Sequence, residues 1–262
     1  MYQGFYNLTS GMLTQSRNLN VISNNMVNVQ TPGYKRDKMV SSTFQEEMLY
    51  RTGRQNKGNP TPLAVTSKIR TATRTYVNYD QGGFEETEGI YDFALTGNGF
   101  FTVQGQNGRV YTRNGSFGVD AEGFLTLNNV GRVLGTNNQP IQIQNENFTV
   151  DSQGTVRVQV VTNPDTGDTI EQEAGTLQIV DFADYDQLHK EDYGVFSTNQ
   201  APQQVDWANT SILWKTVERS NVDMVDEMTS MMTSQRALQS AAQALKMYDQ
   251  IMSKAVNDVG KA

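Results

Sequence analysis

The sequence predicts an α+β protein, with long N- and C-terminal helices forming a coiled-coil layer and a central, mainly antiparallel all-β domain. Three observations predict it. Apolar residues recur every seven positions at each end, turn-forming residues recur at short intervals through the middle, and β-rich stretches lie between those turns.

The N-terminal element comes first. Phe5, Met12, Leu19 and Met26 fall seven apart, and Leu8, Gln15, Ile22 and Val29 interleave three positions later. This is an a/d seam with one polar break, at Gln15. Thr31-Pro32-Gly33 stops the helix, because proline disfavours helical geometry before it and glycine suits the C-terminal turn. Residues 1–33 therefore read as one helix of a terminal coiled-coil domain.

Residues 34–75 read as an extended basic connector. Between Lys35 and Thr75 nine Lys/Arg stand against three Asp/Glu, and Pro60 and Pro62 interrupt the run. Lys35, Arg36, Lys38, Arg51, Arg54 and Lys57 are candidates for docking on acidic surface of adjacent subunits.

Residues 76–200 change character. Turn signals recur at Gly97-Asn98-Gly99, Gln106-Asn107-Gly108, Asn114-Gly115, Glu122-Gly123, Asn128-Asn129, Asn137-Asn138, Gln153-Gly154 and Pro164-Asp165. Phe100 to Val103, Val156 to Val161 and Leu177 to Val180 are the β-rich stretches between them. Short strands at this spacing indicate an antiparallel β-domain. Residues 201–219 form a return connector.

Residues 220–262 read as the second helix. Ser220-Asn221-Val222-Asp223 has the form of a capping box, with Ser220 as N-cap. Met224, Met231, Leu238, Leu245, Met252 and Val259 fall seven apart, with Met228, Gln235, Ala242 and Val256 four positions later and Asp249 as an interruption. Asp223, Asp226 and Glu227 in the first turn and Lys246, Lys254 and Lys261 in later turns suit the helix dipole. Two narrow seams at opposite ends of one chain point to an assembly subunit, since neither buries its stripe alone.

Composition narrows the function. Of 262 residues 37% are hydrophobic and the net charge is −7, with a mean hydropathy of −0.55. The negative charge argues against nucleic acid as a partner. No apolar run reaches the roughly 20 residues that span a bilayer, and the first 20 residues lack the pattern of a secretory signal peptide. There is no cysteine, and the single histidine, His189, leaves little for a triad, dyad or multi-His metal site. Asp181, Asp184 and Asp186 lack the glycine and terminal glutamate of a calcium loop. Gly97-Asn98-Gly99 lacks the third glycine of a dinucleotide fingerprint, and β-type residues follow it. The reading is therefore not an enzyme, with no cofactor and no metal.

One stretch carries a resemblance. Ile22-Ser23-Asn24-Asn25-Met26-Val27-Asn28-Val29-Gln30-Thr31-Pro32-Gly33-Tyr34-Lys35 closely resembles the N-terminal signature of the bacterial flagellar rod and hook proteins. Ser23 and Val27 stand where that family usually has alanine. Phe93 to Phe101, with Gly97, Asn98, Gly99, Phe100 and Phe101, followed by Tyr111 to Phe117, is similar to the family's core β-domain motif. Val119 to Leu125 and Val133-Leu134-Gly135 continue it. Ser220 to Asp223 with Ser234-Gln235-Arg236-Ala237 resembles its C-terminal signature.

The resemblance, strongest to the distal rod protein on chain length, implies a basal-body rod subunit outside the cytoplasmic membrane, in the periplasm or cell wall. It implies export by the flagellar type III apparatus without a cleaved signal, polymerisation with copies of itself and other rod and hook proteins into a helical tube, and transmission of torque from motor to hook. It implies no nucleic-acid partner and no membrane insertion. A hook or rod–hook junction subunit is the alternative, and a secreted β-domain cell-wall enzyme a more distant one. The expected assembly interface is Phe5, Leu8, Met12, Gln15, Leu19, Ile22 and Met26 with Met224, Met228, Met231, Gln235, Leu238, Leu245 and Met252. Gln15 and Gln235 are expected to set axial register by hydrogen bonding across subunits.

Overall fold

The computed structural model describes residues 2–43, 46–51, 61–67, 70–106, 108–143, 146–163 and 168–259. Arg54, Lys57, Pro60, Asn107, Pro164, Asp165 and Lys261 lie outside the described residues. The chain is α+β, with a helix at each end and antiparallel strands between. It divides into two compact units, one comprising residues 1–27, 37–77 and 223–262, the other residues 28–36 and 78–222.

The first unit holds helix α1 (Tyr2–Val27), strands β1 (Asp37–Thr43), β2 (Glu46–Arg51), β3 (Thr61–Ser67) and β4 (Arg70–Val77), and helix α2 (Met224–Val259). α1 ends at Val27, before Thr31-Pro32-Gly33, and Asn28 to Gln30 form a turn in which the Thr31 N–H donates to the Asn28 carbonyl at 3.2 Å. β1 pairs with β4 and β2 with β3, both antiparallel, with a register shift at Val40/Ser41 and another at Leu49/Tyr50, so much of the expected connector is paired β-strand. α2 starts three residues later than the capping box implied. The Asp223 carboxylate accepts from the Val225 and Asp226 N–H groups at 2.8 and 3.2 Å, so Asp223 is the N-cap. Ser220 instead accepts from Val222 at 3.3 Å within a local turn.

The second unit is the β-domain. It comprises β5 (Phe84–Glu86), β6 (Phe93–Thr96), β7 (Phe100–Gly105), β8 (Gly108–Thr112), β9 (Gly118–Val119), β10 (Leu125–Leu127), β11 (Gly131–Val133) and β12 (Phe148–Val150). It continues with β13 (Thr155–Asn163), β14 (Asp168–Thr176), β15 (Ile179–Asp181), β16 (His189–Lys190), β17 (Val195–Ser197), β18 (Gln203–Gln204), β19 (Ser211–Trp214) and β20 (Thr216–Glu218). The largest sheet runs β16-β17-β8-β7-β11-β10-β9, with β15 joining β7 and β18 joining β15. β12-β13-β14, β19-β6 and β20-β5 form smaller antiparallel sheets.

β7 is central because its alternating side chains are covered on both faces. Phe101 and Val103 point into an apolar core with Phe93, Leu95, Phe117, Leu125, Val133 and Leu177. Phe100 points the other way, into a ring cluster with Tyr79, Phe182, Tyr185 and Phe196 at centroid distances of 5.6–6.1 Å. Each buried Phe contributes roughly 1.5–3 kcal/mol gross.

Candidate assembly site

The helix pair of the first unit and the signature segment that follows α1 are the functional candidates.

In the first unit α1 and α2 run antiparallel. Asn25 Nδ2 donates to Glu227 Oε1 at 3.0 Å, Asn18 Nδ2 to Ser234 Oγ at 3.0 Å, and a Cβ on Gly4 would lie 4.0 Å from the Tyr248 ring. Gly4, Asn18 and Asn25 and their partners Glu227, Ser234 and Tyr248 all keep heptad spacing. The face joining the helices is thus lined by small and polar residues. Asn25 and Glu227 are 1% and 2% exposed. Asn25 also grips the Asp37 main chain, donating to its carbonyl at 2.8 Å and accepting from its N–H at 2.9 Å.

The sequence-predicted seam residues flank that contact. Ile22 is buried, while Phe5, Leu8, Met12, Gln15, Leu19, Met26, Met231, Leu238, Leu245 and Met252 are half-buried. Met224, Met228 and Gln235 are exposed, as are Ala242, Asp249 and Val256 of the same expected column. The column facing α1 lies three positions after the Met224 series and not four, because Glu227 and Ser234 find hydrogen-bond partners there.

In the second unit the signature stretches converge. Asn28 and Thr31 make the turn after α1, with Thr31 Oγ1 donating to Asn28 Oδ1 at 3.2 Å, and Pro32 follows half-buried. Asn24, in the first unit, is exposed. Gly33 adopts φ +66° and its N–H donates to the Glu218 carbonyl at 2.7 Å. A Cβ there would collide with the Arg113 carbonyl and the Asn114 nitrogen, so only glycine fits. Tyr34 is buried, with the Lys190 ammonium 3.7 Å from its ring centroid. Lys190 Nζ also donates to the Lys35 carbonyl at 2.7 Å.

Lys35 is 1% exposed, and its Nζ donates to Glu218 Oε1 at 2.7 Å and to the Asp80 carbonyl at 2.9 Å. This corrects the expectation that Lys35 docks on a neighbouring subunit: its charge is neutralised inside its own chain. Lys38 is exposed and Arg36 half-buried. Glu218 Oε1 also accepts from the Gly82 N–H at 3.0 Å, and Arg113 Nη1 lies 3.5 Å from Oε2. Burial pulls the Lys35 ammonium below its ordinary value against the opposing pull of Glu218, and burial lowers the Arg113 guanidinium as well.

Arg113 carries the cluster to the Gly97-Asn98-Gly99 turn. Its Nη2 donates to the Gly97 carbonyl at 2.6 Å and its Nη1 to the Leu95 carbonyl at 3.3 Å, with the guanidinium carbon 5.4 Å from the Phe100 ring centroid. Gly97 has φ +85°, and a Cβ there would strike the Asn209 carbonyl. Thr210 Oγ1 donates to the Asn98 carbonyl at 3.2 Å, and a Cβ on Gly99 (φ +120°) would press on Ile179 and Val205. Phe101 is fully buried in the core. Sequence reasoning missed Glu218 and Asp80. The one available signal was a lysine at the end of the uncharged Thr31-Pro32-Gly33-Tyr34 run, a position that needs a carboxylate once folded.

Among the described residues, no cluster of three or more His, Asp or Glu side chains is arranged to hold a metal. No described helix is long and apolar enough to cross a membrane. A shallow depression lined by Arg109, Tyr111, His189, Ser197 and Asn199 carries the lone histidine.

Comparison with known proteins covers the same regions. Residues 5–35 match the flagella basal body rod protein family, residues 94–158 the flagellar hook protein FlgE/F/G D1 domain, and residues 215–258 the flagellar basal body rod FlgEFG protein C-terminal family. The chain is 30% identical over 259 residues to the flagellar basal-body rod protein FlgG of Buchnera aphidicola subsp. Schizaphis graminum, covering 94% of this chain and 95% of that one. It is 28% identical to FlgG of Bacillus subtilis, covering 98% and 99%, and 30% identical to FlgF of Caulobacter vibrioides, covering 96% of each. With one signature helix at each end, the β-domain motif between them and this full-length similarity, the chain belongs to the flagellar basal-body rod and hook protein family, as a structural protein and not an enzyme.

Proposed function

We propose that the chain is a subunit of the distal flagellar rod, joining copies of itself and other rod and hook proteins in a helical tube that transmits torque from motor to hook. One observation carries the reading: apolar side chains remain exposed at multiples of seven after α1 and α2 have paired. Tyr6, Leu13 and Val27 on α1, and Val225 with Met232 and Met228 with Val256 on α2, keep that spacing and are exposed. Met247 and Ile251 are exposed beside them. Val27 is 80% and Val225 72% exposed. Covering each such side chain in a coiled-coil layer of neighbouring subunits contributes roughly 1.5–3 kcal/mol gross. The small and polar residues between α1 and α2 make the intrachain pair weak. That suits passage of a barely folded chain through the type III export apparatus, followed by ordering in the periplasm or cell wall.

The test is the pair Leu13→Glu and Met232→Glu. Both sites are exposed, so the purified monomer should melt within about 0.5 kcal/mol of the unaltered chain. Cells carrying either variant should lack rods by electron microscopy and be non-motile. Normal rods and motility in both variants would sink the proposal. Labelling at the hook in place of the rod would favour the hook or junction reading.

A further inference from the structure

We infer that Glu218 and Asn221 are positioning residues that bind three remote segments of the β-domain unit into one hub beside three of the places where the chain leaves that unit. The segments are 33–36, 78–82 and 218–221. Between them they flank three of the four places where the chain leaves or enters this unit, at residues 36/37, 77/78 and 222/223.

The bonds join each segment to the other two. Glu218 takes Lys35 Nζ at 2.7 Å and the Gly82 N–H at 3.0 Å on one carboxylate oxygen, and its carbonyl takes the Gly33 N–H at 2.7 Å. Asn221 accepts from the Arg36 N–H at 2.7 Å and donates to the Asn78 and Asp80 carbonyls at 2.8 and 2.9 Å. The Asn78 N–H donates to the Arg36 carbonyl at 2.7 Å, and Lys35 Nζ closes the ring on the Asp80 carbonyl at 2.9 Å. The apolar core of the domain needs none of these groups, since its members come from residues 93–212. The hub is thus separable from the core, and its work is to hold 33–36, 78–82 and 218–221 together within this unit. This holds within one chain and does not depend on polymerisation.

The test is amide exchange on the full-length monomer. Glu218→Gln keeps the shape of the acceptor and removes its charge. It should raise exchange in peptides covering 28–36 and 78–83 by about 100-fold while peptides covering Phe93–Thr96 and Phe100–Gly105 stay protected. Lys35→Met should open the same segments, and the double variant should be no worse than Glu218→Gln alone. Unchanged exchange at 28–36, or strictly additive effects of the two substitutions, would overturn the inference. If Glu218→Gln unfolds the core, Asn221→Ala decides: local opening of 36 and 78–80 supports the hub, and unchanged protection there refutes it.

Discussion

Replacing Asn25 with alanine should unfasten the helix pair while leaving the β-domain unit intact. Asn25 is 1% exposed, and its side-chain bonds include two to the Asp37 main chain at 2.8 and 2.9 Å and one to the Glu227 carboxylate at 3.0 Å. A neutral bond contributes about 1 kcal/mol net and one to a charged group about 1.5–3 kcal/mol. Asp37 is half-buried, so water can replace part of its loss. The expected destabilisation is about 2–4 kcal/mol, which for a unit of about 100 residues lowers its midpoint by roughly 10–20 °C. Far-UV circular dichroism follows the helices. Trp214, whose indole N–H donates to the Ile90 carbonyl at 2.8 Å, reports the other unit by fluorescence. Asn20→Ala, on an exposed position of α1, is the control and should change nothing measurable. A helix transition within about 3 °C of the unaltered chain would refute the reasoning, because a buried polar residue with these partners cannot be removed so cheaply. So would an equal shift of the Trp214 transition.

Other outcomes follow from the same geometry. Gly33→Ala forces a Cβ into the Arg113 backbone at a φ of +66° and should cost more than about 2 kcal/mol, seen as lost protection of the Gly33 N–H. Phe101→Ala empties the centre of the β-domain core and should cost about 3–5 kcal/mol in urea denaturation; a loss under about 1 kcal/mol would count against β7 as the central strand. Asp120 is held below its ordinary value of 3.8, first by the Phe124 N–H and also by Arg132 and the Glu122 N–H. Its folded value lies below its unfolded one, so the stability it adds is present above about pH 3.8 and lost as pH falls through the folded value. An NMR titration of Asp120 should therefore fall below 3.8, and Asp120→Asn should flatten the acid limb of stability.

Local chemistry made the two helices, the antiparallel β-domain and the signature legible from sequence. Periodicity at seven, a proline–glycine stop, and glycine or asparagine turns each act through a few neighbouring residues. The strand at Phe100 to Val103 could be read because its residues are all apolar or β-branched, as a strand covered on both faces requires. The paired strands within 37–77 were harder to see: their charged and Thr-rich sequence gives no alternation, and they are defined by pairing with each other.

Tertiary structure alone decided two matters. The first is which side of each helix is turned inward. Apolar periodicity marks the stripe that needs cover but cannot say whether the cover is the other helix or another subunit. Here the Asn25–Glu227 and Asn18–Ser234 bonds turn a polar face inward and leave Val225, Met228 and Met232 exposed. The second is the identity of the partner of Lys35. The sequence alone marked Lys35 as a cation in search of acidic surface, and an uncompensated ammonium is costly in an apolar interior. Only the fold, by closing 183 residues of chain, could make that carboxylate Glu218.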